Sequence, residues 1–483
     1  MQASCTIRAP VTATPRIAIV GAGFTGTLLA VHLLREARTP VIIHLFEQHG
    51  WFGRGVAYST GNPSHLLNVR VANMSAFPDD PADFLLWLWR FDYHVDGLPI
   101  PPSGHAFVPR GVYGNYLEDT LSAARKAAAP GVDCETRAIE VVGVRRIRDR
   151  YALSFRGAAP AAYDHVALCI GNLPPALPCQ AVGDLDFPRY IADPWHEPGL
   201  TELAPNARVA IIGTGLTAVD VVLSLLDQGH TGLIIALSRR GLIPHSHQQT
   251  RRYTDFLANE PAPETTLRLF VRLRAEIRKA EAAGYDWRSV IDAFRPHTER
   301  CWRALPEAER RRFLRHVRSY WEVHRHRMAP QAAERLWSAF RKGQLLRRKG
   351  RLTGIAEDGS NLVLRFRSRG GRSAHSLRAA HIVNSSGPQF DVSRLDHPLV
   401  VSALHHGLAR PDPLGLGLEV TPDFRMVGAD GKLAPGLLAL GPIARGGCWE
   451  STAVPELRSQ CARAGSMLAS QLAHARLDTA AVR

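Results

Sequence analysis

A strand, a glycine-rich turn and a helix follow one another near the start of the chain, and the same order returns near its middle. The first copy is an apolar run at residues 17–20, a G-x-G-x-x-G turn at 21–26, and a leucine-rich stretch at helical spacing. In such a unit the first glycine permits the tight turn, the second lets the backbone approach a pyrophosphate, and the third lets the helix pack on the strand. The sequence therefore predicts an α/β fold with Rossmann-like dinucleotide-binding domains.

The strand after the first turn ends at an acid. Residues 41–46 are apolar and lead into Glu47, about 20 residues past the last glycine of the turn. A carboxylate there accepts hydrogen bonds from two ribose hydroxyls, which suits FAD or NAD rather than NADP. The alternative is an incidental acid after an ordinary glycine turn. The predicted contacts from this unit are Gly21, Gly23, Phe24, Thr25, Gly26 and Glu47.

Further segments could lie against the same cofactor. Residues 51–60 contain Gly53 and Gly55, which suit a loop close to a ligand, although an ordinary surface loop is the alternative. Two later strands end in glycine, and the last helix follows a segment whose hydroxyls could cap it. That helix could direct N–H groups at the pyrimidine edge of a flavin. The residues predicted to contact FAD here are Gly53, Gly55, Asn68, Met74, Gly171, Gly441, Glu450, Ser451 and Thr452.

The second turn, G-x-G-x-x-A at residues 213–218, differs at the end of its following strand. No acid stands there, and Ser238, Arg239 and Arg240 follow the apolar run. Guanidinium groups bind phosphate oxygens in pairs, so this end suits the 2′-phosphate of NADPH. A solvated basic turn is the alternative. The predicted NADPH contacts are Gly213, Gly215, Leu216, Thr217, Ala218, Ser238, Arg239 and Arg240.

Almost all of the net charge of +15 lies in one segment. Residues 239–350 hold 26 Lys and Arg against 12 Asp and Glu, whereas the rest of the chain holds 33 against 32. Apolar residues at helical spacing predict a helical insertion at 241–350, which is either a solvated basic surface or an electropositive funnel for an anionic substrate or NADPH. His245 and His247 are candidates for substrate contact. His316, His324 and His326 lack acidic partners at ligand spacing, so no metal site is expected.

Length and composition bound the rest of the prediction. A chain of 483 residues with 45% apolar residues predicts two or three domains. We assign 1–180 and 352–483 to a discontinuous FAD-binding domain, 181–240 with part of 341–395 to an NADPH-binding domain, and 241–350 to the insertion. Residues 1–15 are expected to be a loose lead-in. No apolar run spans a membrane, no signal peptide is visible, and seven scattered cysteines indicate reduced thiols, so a cytoplasmic location is expected.

The chain resembles the bacterial FAD-NAD(P)-binding family, which is related to class B flavin monooxygenases and amino-acid N-hydroxylases. The matching segments are the two turns with Asp220, the run 53–59, the run 65–69 with Met74 and Ser75, the run 238–241, and the run 449–456. The F-x-G-x-x-x-H string of Baeyer–Villiger and dimethylaniline-type enzymes is absent between Gly171 and Gly213. This departure makes ketone oxygenation and xenobiotic sulfoxidation poorer interpretations.

The resemblance implies two three-layer dinucleotide-binding domains of the ββα/βαβ type. It also implies reduction of FAD by NADPH, capture of O2 as a C4a-(hydro)peroxyflavin, and oxygen transfer to a small-molecule substrate. The chemistry is then centred on the flavin, which requires no side-chain nucleophile and no metal. Given the basic insertion, we expect an anionic, amino-acid-like substrate.

Three other hypotheses remain open at this stage. The first is an NADPH-dependent flavin reductase or oxidase that transfers no oxygen. The second is a nucleic-acid-associated flavoprotein resembling a tRNA-modifying enzyme, which the apolar spacing of the tryptophans in the insertion disfavours. The third is a redox-inactive scaffold that retains FAD. Neither the identity of the substrate nor the oligomeric state can be read from the residues.

Overall fold

The computed structural model describes residues 14–91, 93, 102–176, 178–179, 189–195, 199–368 and 373–481. Most of the predicted lead-in, residues 1–13, lies outside the described residues. The strands are β1 Arg16–Val20, β2 Val41–Glu47, β3 Val132–Ala138, β4 Val141–Ile147, β5 Arg150–Phe155, β6 Ala158–Tyr163, β7 His165–Leu168, β8 Tyr190–Ile191, β9 Val209–Ile212, β10 Ile234–Ser238, β11 Leu345–Lys349, β12 Arg351–Asp358, β13 Asn361–Arg367, β14 Ala374–Ala379, β15 His381–Asn384, β16 Arg425–Val427 and β17 Leu433–Ala439.

The helices are numbered in the same chain order, and those between residues 266 and 341 follow one another without an intervening strand among the described residues. Short 3-10 turns lie at Val71–Asn73, Arg295–His297, Val392–Arg394 and Gly441–Ala444. The α-helices are α1 Phe24–Glu36, α2 Gly55–Tyr58, α3 Asp83–Arg90, α4 Arg110–Ala127, α5 Leu216–Asp227, α6 Thr266–Ala282, α7 Trp287–Phe294, α8 Thr298–Ala304, α9 Glu307–His316, α10 Arg318–Arg325, α11 Pro330–Arg341, α12 Pro398–His405 and α13 Val454–Ala481.

The first unit is a sheet of order β16-β17-β7-β1-β2-β3, parallel except for β16. Its central strand β1 is buried on both faces, which explains its β-branched, non-alternating sequence. One face packs on the antiparallel strands β4–β6 through residues such as Val20 and Leu153. The other face packs on α1 and α13 through Ile17, Leu33 and Leu468. The unit therefore has three layers.

The second unit repeats this plan. Its sheet has the order β11-β10-β9-β15-β8, with all pairs parallel. Helices α5 and α11 cover one face, and the antiparallel strands β12–β14 cover the other through residues such as Ile355 and Leu364. Two Rossmann-like units with a helical region were predicted, and the fold confirms this class.

Strand pairing places the boundaries between the units. β15 joins the second sheet and β12–β14 pack on that sheet, so these strands fall within the part of 341–395 that we assigned to the NADPH-binding domain, and the first unit resumes after Asn384. The insertion predicted at 241–350 is shorter, because α11 packs on α5 and β11 joins the second sheet. A local sequence pattern carries no information on which sheet a strand joins.

Two features of the helices in the insertion are not evident from apolar spacing alone. Residues 313–324 form two helices, α9 and α10, which meet at Val317. On α6, Leu267 and Val271 are 64% and 57% exposed. The inward face is instead formed by Leu269, Leu273 and Ile277.

Candidate functional site

The first glycine turn is shaped by backbone contacts that leave no room for a side chain. Gly21 has φ of +98°, and a Cβ there would overlap the carbonyl oxygen of Cys169, where the chain leaves β7. A Cβ at Gly26 would overlap the carbonyl oxygen of Gly21. Helix α1 begins after Gly23 with no side chain capping its first N–H groups. These free donors at a helix N-terminus form a site for a pyrophosphate.

A loop covers this turn. The amide of Gly53 donates to the carbonyl of Ala22 at 2.8 Å, and a Cβ at Gly23 would lie 3.5 Å from Cα of Gly55. Arg54 anchors the loop through a 2.6 Å ion pair with Glu118 on α4. The predicted residues Gly53 and Gly55 therefore lie against the first turn.

Two further predicted glycines lie at the same edge of the first sheet. A Cβ at Gly441 would be 2.8 Å from Oγ1 of Thr25, in the first turn of α1. At Gly171, φ is +71° and no atom lies within 4 Å of the position of a Cβ. Open space therefore lies beside Gly171, whereas Gly441 is in tight contact with Thr25. Together with the uncapped start of α1, the residues at this edge fit FAD.

Glu47 occupies the predicted end of β2. One carboxylate oxygen accepts the amide of Ala22 at 3.1 Å, and the other lies 3.4 Å from the amide of His49. The carboxylate is therefore held beside the turn and retains lone pairs for ribose hydroxyls.

Met74 and Phe24 share an apolar cluster with Tyr113 and with Leu457 of α13. The fully buried hydroxyl of Tyr113 has no hydrogen-bond partner among the described residues. Cys461 of α13 lies 3.4 Å from the carbonyl of Thr25, so the last helix begins beside the first turn.

The hydroxyl of Ser451 is fully buried and makes no hydrogen bond within the described ranges, so it does not cap α13. Thr452 is exposed. Glu450 was predicted beside FAD, and the structure places its carboxylate against the insertion. There it accepts the indole N–H of Trp321 at 3.0 Å and lies 3.5 Å from Arg325.

The second glycine turn has the same backbone design. Gly213 has φ of +119°, and a Cβ there would overlap the carbonyl oxygen of Ser385, where the chain leaves β15. Helix α5 begins after Gly215 with no side-chain cap. No atom lies within 4 Å of the position of a Cβ at Gly215, so this turn is open where the first is covered. Leu216, Thr217 and Ala218 form the first turn of the helix, as predicted from the spacing.

The three residues after β10 have different surroundings. The hydroxyl of Ser238 accepts the amide of Gly241 at 2.9 Å and lies 2.8 Å from the hydroxyl of Thr214. Because the Thr214 hydroxyl donates to the carbonyl of Leu242, the Ser238 proton is committed to Thr214. Ser238 therefore organises the turn. Arg240 donates to the carbonyls of residues 315 and 316 at 3.0 Å each, and so caps the end of α9.

Arg239 is exposed and has no ion-pair or hydrogen-bond partner within the part of the chain that is described. The neighbouring strand adds two cations that sequence reasoning missed. Lys349 pairs with Ser238 in the sheet, and a Cβ at Gly241 would lie 3.5 Å from Cβ of Lys349 and 3.6 Å from Cδ of Arg347. Local sequence carries no sign of this register. Arg239, Arg347 and Lys349 thus surround the loop after β10.

Buried polar contacts join the two units. Arg110 of the first unit forms a 2.8 Å ion pair with Asp220 of α5, and both side chains are about nine-tenths buried. His65 lies 2.8 Å from the hydroxyl of Ser224. Nε2 of His247 lies 3.0 Å from the carbonyl of Asn68 and must donate to it.

Burial, assisted by Arg327, lowers the pKa of His247 to about 3, and burial next to His324 lowers the pKa of His245. His247 is therefore neutral at pH 7. It positions the backbone at Asn68 and does not act as an acid. His245 packs against Trp287 and His324, with ring centroids at 5.2 and 4.6 Å.

Many of the arginines of the insertion are paired. The side chains of Arg295 and Arg325 both bind Glu456 at the start of α13, the first at 2.8 Å and the second at 3.1 Å. Further ion pairs within the insertion join Arg272 to Glu260, Arg288 to Asp286, Arg303 to Glu299, Arg311 to Glu307, Arg312 to Glu309, Arg318 to Glu322 and Arg327 to Asp292.

Arg445 is a buried cation with incomplete compensation. Its guanidinium lies between the rings of Phe390 and Trp449, 4.5 and 4.4 Å from their centroids. Its nearest acid, Glu322, is 3.4 Å away and is shared with Arg318 at 2.8 Å. Its Nε has no partner among the residues described. Burial and the charge of Arg318 lower the pKa of Arg445 to about 10, so it stays charged at pH 7.

No helix among the described residues is long and apolar enough to cross a membrane. No group of three or more His, Cys, Asp or Glu side chains within the same ranges could hold a metal ion.

Known proteins resemble this chain both in sequence and in fold. Residues 18–173, which span the first turn, match the sequence model of a family described as FAD-NAD(P)-binding. The uncharacterized protein Rv3403c of Mycobacterium tuberculosis (strain ATCC 25618 / H37Rv) is 21% identical over 488 residues, which cover 89% of each chain. Over residues 18–173 the chain therefore resembles FAD-NAD(P)-binding proteins, and its two glycine turns agree with this match.

Solved structures with a similar fold include two ornithine hydroxylases. The ornithine hydroxylase PvdA of Pseudomonas aeruginosa aligns with a TM-score of 0.64 at 14% identity, covering 95% of this chain and 100% of that one. The ornithine N-hydroxylase KtzI of Kutzneria sp. 744, whose structure contains reduced FAD, NADP+ and L-ornithine, aligns at 0.59 and 15% identity, covering 96% and 100%. The predicted resemblance to the FAD-NAD(P)-binding family is confirmed over residues 18–173, and the fold is similar to that of these two hydroxylases.

Proposed function

We propose that the protein is an FAD-dependent, NADPH-oxidising monooxygenase that hydroxylates a small, anionic, amino-acid-like substrate. The observation that carries this proposal is the pairing of two unlike turns across one joint. In the first unit the turn is covered, and the strand after it ends in Glu47. In the second unit the turn is open, and Arg239 follows the next strand. The Arg110–Asp220 ion pair holds the two units together. A bound flavin supplies hydride acceptance and O2 activation.

The first unit would hold FAD. The uncapped start of α1 binds the pyrophosphate, and Glu47 accepts from ribose hydroxyls. The loop at Gly53–Gly55 and the segment around Met74 and Tyr113 exclude water from one side of the flavin. The tight contact between Gly441 and Thr25 keeps this edge of the first sheet rigid.

The second unit would bind NADPH and release NADP+. The uncapped start of α5 takes its pyrophosphate, and the open space at Gly215 allows the nucleotide to enter and leave. Arg239 and Lys349 bind the 2′-phosphate, with Arg347 beside them. Arg240 is a poorer ligand than Arg239, because its guanidinium is engaged at the end of α9.

Arg445 supports an anionic substrate. A buried guanidinium that shares one carboxylate with Arg318 favours a second anion nearby, since an undercompensated buried charge is costly. A substrate carboxylate would supply that anion. Arg445 lies directly after Gly441–Ala444, the 3-10 turn that begins at the predicted flavin contact Gly441.

Aerobic turnover tests the proposal. Purified FAD-loaded protein is given NADPH with a panel of amino acids and diamines, and NADPH loss, H2O2 release and hydroxylated product are measured together. A substrate that raises NADPH oxidation while product replaces H2O2 is the expected result. H2O2 equal to NADPH consumed across the whole panel contradicts oxygen transfer and indicates an oxidase.

A further inference from the structure

An apolar cavity lies inside the insertion, beneath α6. Its empty volume is about 490 Å³, including an open mouth, and its walls come from α6 to α10 and from Trp449. Aromatic side chains form much of the wall, including Phe294, Trp302, Phe313 and Trp321.

Among the described residues, no charged side chain lines this cavity. Two of the three indole N–H groups on its wall are used elsewhere, since Trp302 donates to the carbonyl of Gly446 at 2.8 Å and Trp321 donates to Glu450. Burial also raises the pKa of the Cys301 thiol, which keeps it neutral. A charged ligand would lose its hydration here without gaining a partner, so the walls select an uncharged apolar group.

One hydroxyl on the wall has no partner. Thr298 is 6% exposed, and its Oγ1 makes no hydrogen bond to any described residue. The other threonine of the wall, Thr266, donates its hydroxyl to the carbonyl of Glu309 at 2.7 Å. An unpartnered buried hydroxyl is uncommon in native proteins, and a ligand hydroxyl would satisfy it.

The mouth of the cavity is next to exposed apolar surface. Phe270 lines the cavity and is 39% exposed, and Leu267 and Val271 on the same helix are more exposed still. An apolar molecule arriving from solvent meets this surface first. From Phe270 it reaches Leu269 and Leu273 on the inner side of α6.

We infer that this cavity is a binding site for an uncharged, ring-sized apolar group that carries one hydroxyl for Thr298. The site is separate from the two dinucleotide turns, and its occupancy does not depend on the proposed oxygen transfer. Trp449 links it to the rest of the molecule, because Trp449 lines the cavity and also contacts Arg445.

Ligand-detected NMR and calorimetry on the full chain test the inference with defined probes. Toluene and benzyl alcohol should bind saturably, whereas benzoate and benzylamine, their charged counterparts, should not. Leu273→Trp fills the cavity and should weaken toluene binding by about ten-fold or more, since it removes the space the ring occupies. Leu267→Trp is the matched control on the same helix outside the cavity, and its binding should equal that of the wild type.

A second variant tests the hydroxyl without changing the volume. Thr298→Val should leave toluene binding intact and reduce the preference for benzyl alcohol over toluene by about five-fold, the effect of one neutral hydrogen bond. Absence of saturable toluene binding overturns the inference, as does benzoate binding as tightly as toluene. Unchanged toluene binding in a folded Leu273→Trp protein also overturns it. The probe series on the wild type decides the matter even if that variant does not fold.

Discussion

The turn at Gly21 is covered by the loop at Gly53–Gly55, whereas at the turn of Gly213 no atom lies within 4 Å of a Cβ placed on Gly215. Both turns are crossed by the backbone leaving a neighbouring strand, at Cys169 in one and at Ser385 in the other. The shared crossing explains why each turn needs glycine at its first position. The different cover predicts a retained nucleotide in the first unit and an exchanged one in the second.

The two units should differ most in how they tolerate a substitution at the last position of the glycine turn, which is Gly26 in the first unit and Ala218 in the second. Gly26→Ala should lower the free energy of unfolding by about 3 kcal/mol and abolish FAD retention, because its Cβ would overlap the carbonyl of Gly21. The reverse change at the equivalent place, Ala218→Gly, should cost only about 1 kcal/mol, the usual penalty of glycine in a helix. Denaturant unfolding and the flavin content of purified protein measure both. Normal flavin content in Gly26→Ala contradicts the steric argument.

The joint between the units should be the next most sensitive place. Arg110→Met or Asp220→Leu alone should destabilise the protein by about 3 kcal/mol, because each leaves a buried charge unpaired. The double variant should recover most of that loss. Denaturant unfolding of the four proteins gives the coupling energy, and additive single losses with no recovery would refute a direct ion pair between the units.

The residues at the ends of β2 and β10, the strands that follow the two glycine turns, should determine which nucleotide each unit binds. Arg239→Ser and Lys349→Ser should each lower the ratio of kcat/KM for NADPH over NADH by about ten-fold, the effect of losing one charged hydrogen bond. Arg240→Ser is the matched control and should change this ratio little, since Arg240 caps α9. Steady-state NADPH and NADH oxidation gives the three ratios. A larger loss at Arg240 than at Arg239 would reverse this assignment.

The smallest effect concerns pH at the joint. The pKa of His247 is about 3 when folded, below that of an exposed histidine, so the unfolded chain binds more protons at mildly acid pH. Its contribution to stability is therefore present above about pH 6.5 and is lost as pH falls toward 3. His247→Gln keeps an N–H donor for Asn68 and should lose less stability between pH 7 and 5. Urea unfolding across this range measures the effect, and an equal loss in the variant and the wild type would contradict this role for His247.

Local sequence was enough to predict the two glycine turns, the position of Glu47 at the end of its strand, and the glycines that follow β7 and β15. Each of these features depends on residues that are adjacent in the chain. Local sequence was not enough for Lys349, which reaches the second turn only through the register of β10 and β11. The same limit applies to Glu450, whose partners Trp321 and Arg325 come from the insertion. Charge counting also overstated a basic funnel, since many of those arginines bind nearby acids in space.

Anaerobic reduction of the purified protein tests the central claim most directly. The account predicts yellow protein that keeps one FAD per chain through gel filtration, and a flavin band that NADPH bleaches at least ten-fold faster than NADH. Colourless protein that takes up no added FAD would contradict the role of the first turn. Equal bleaching by NADH would contradict the role of the second.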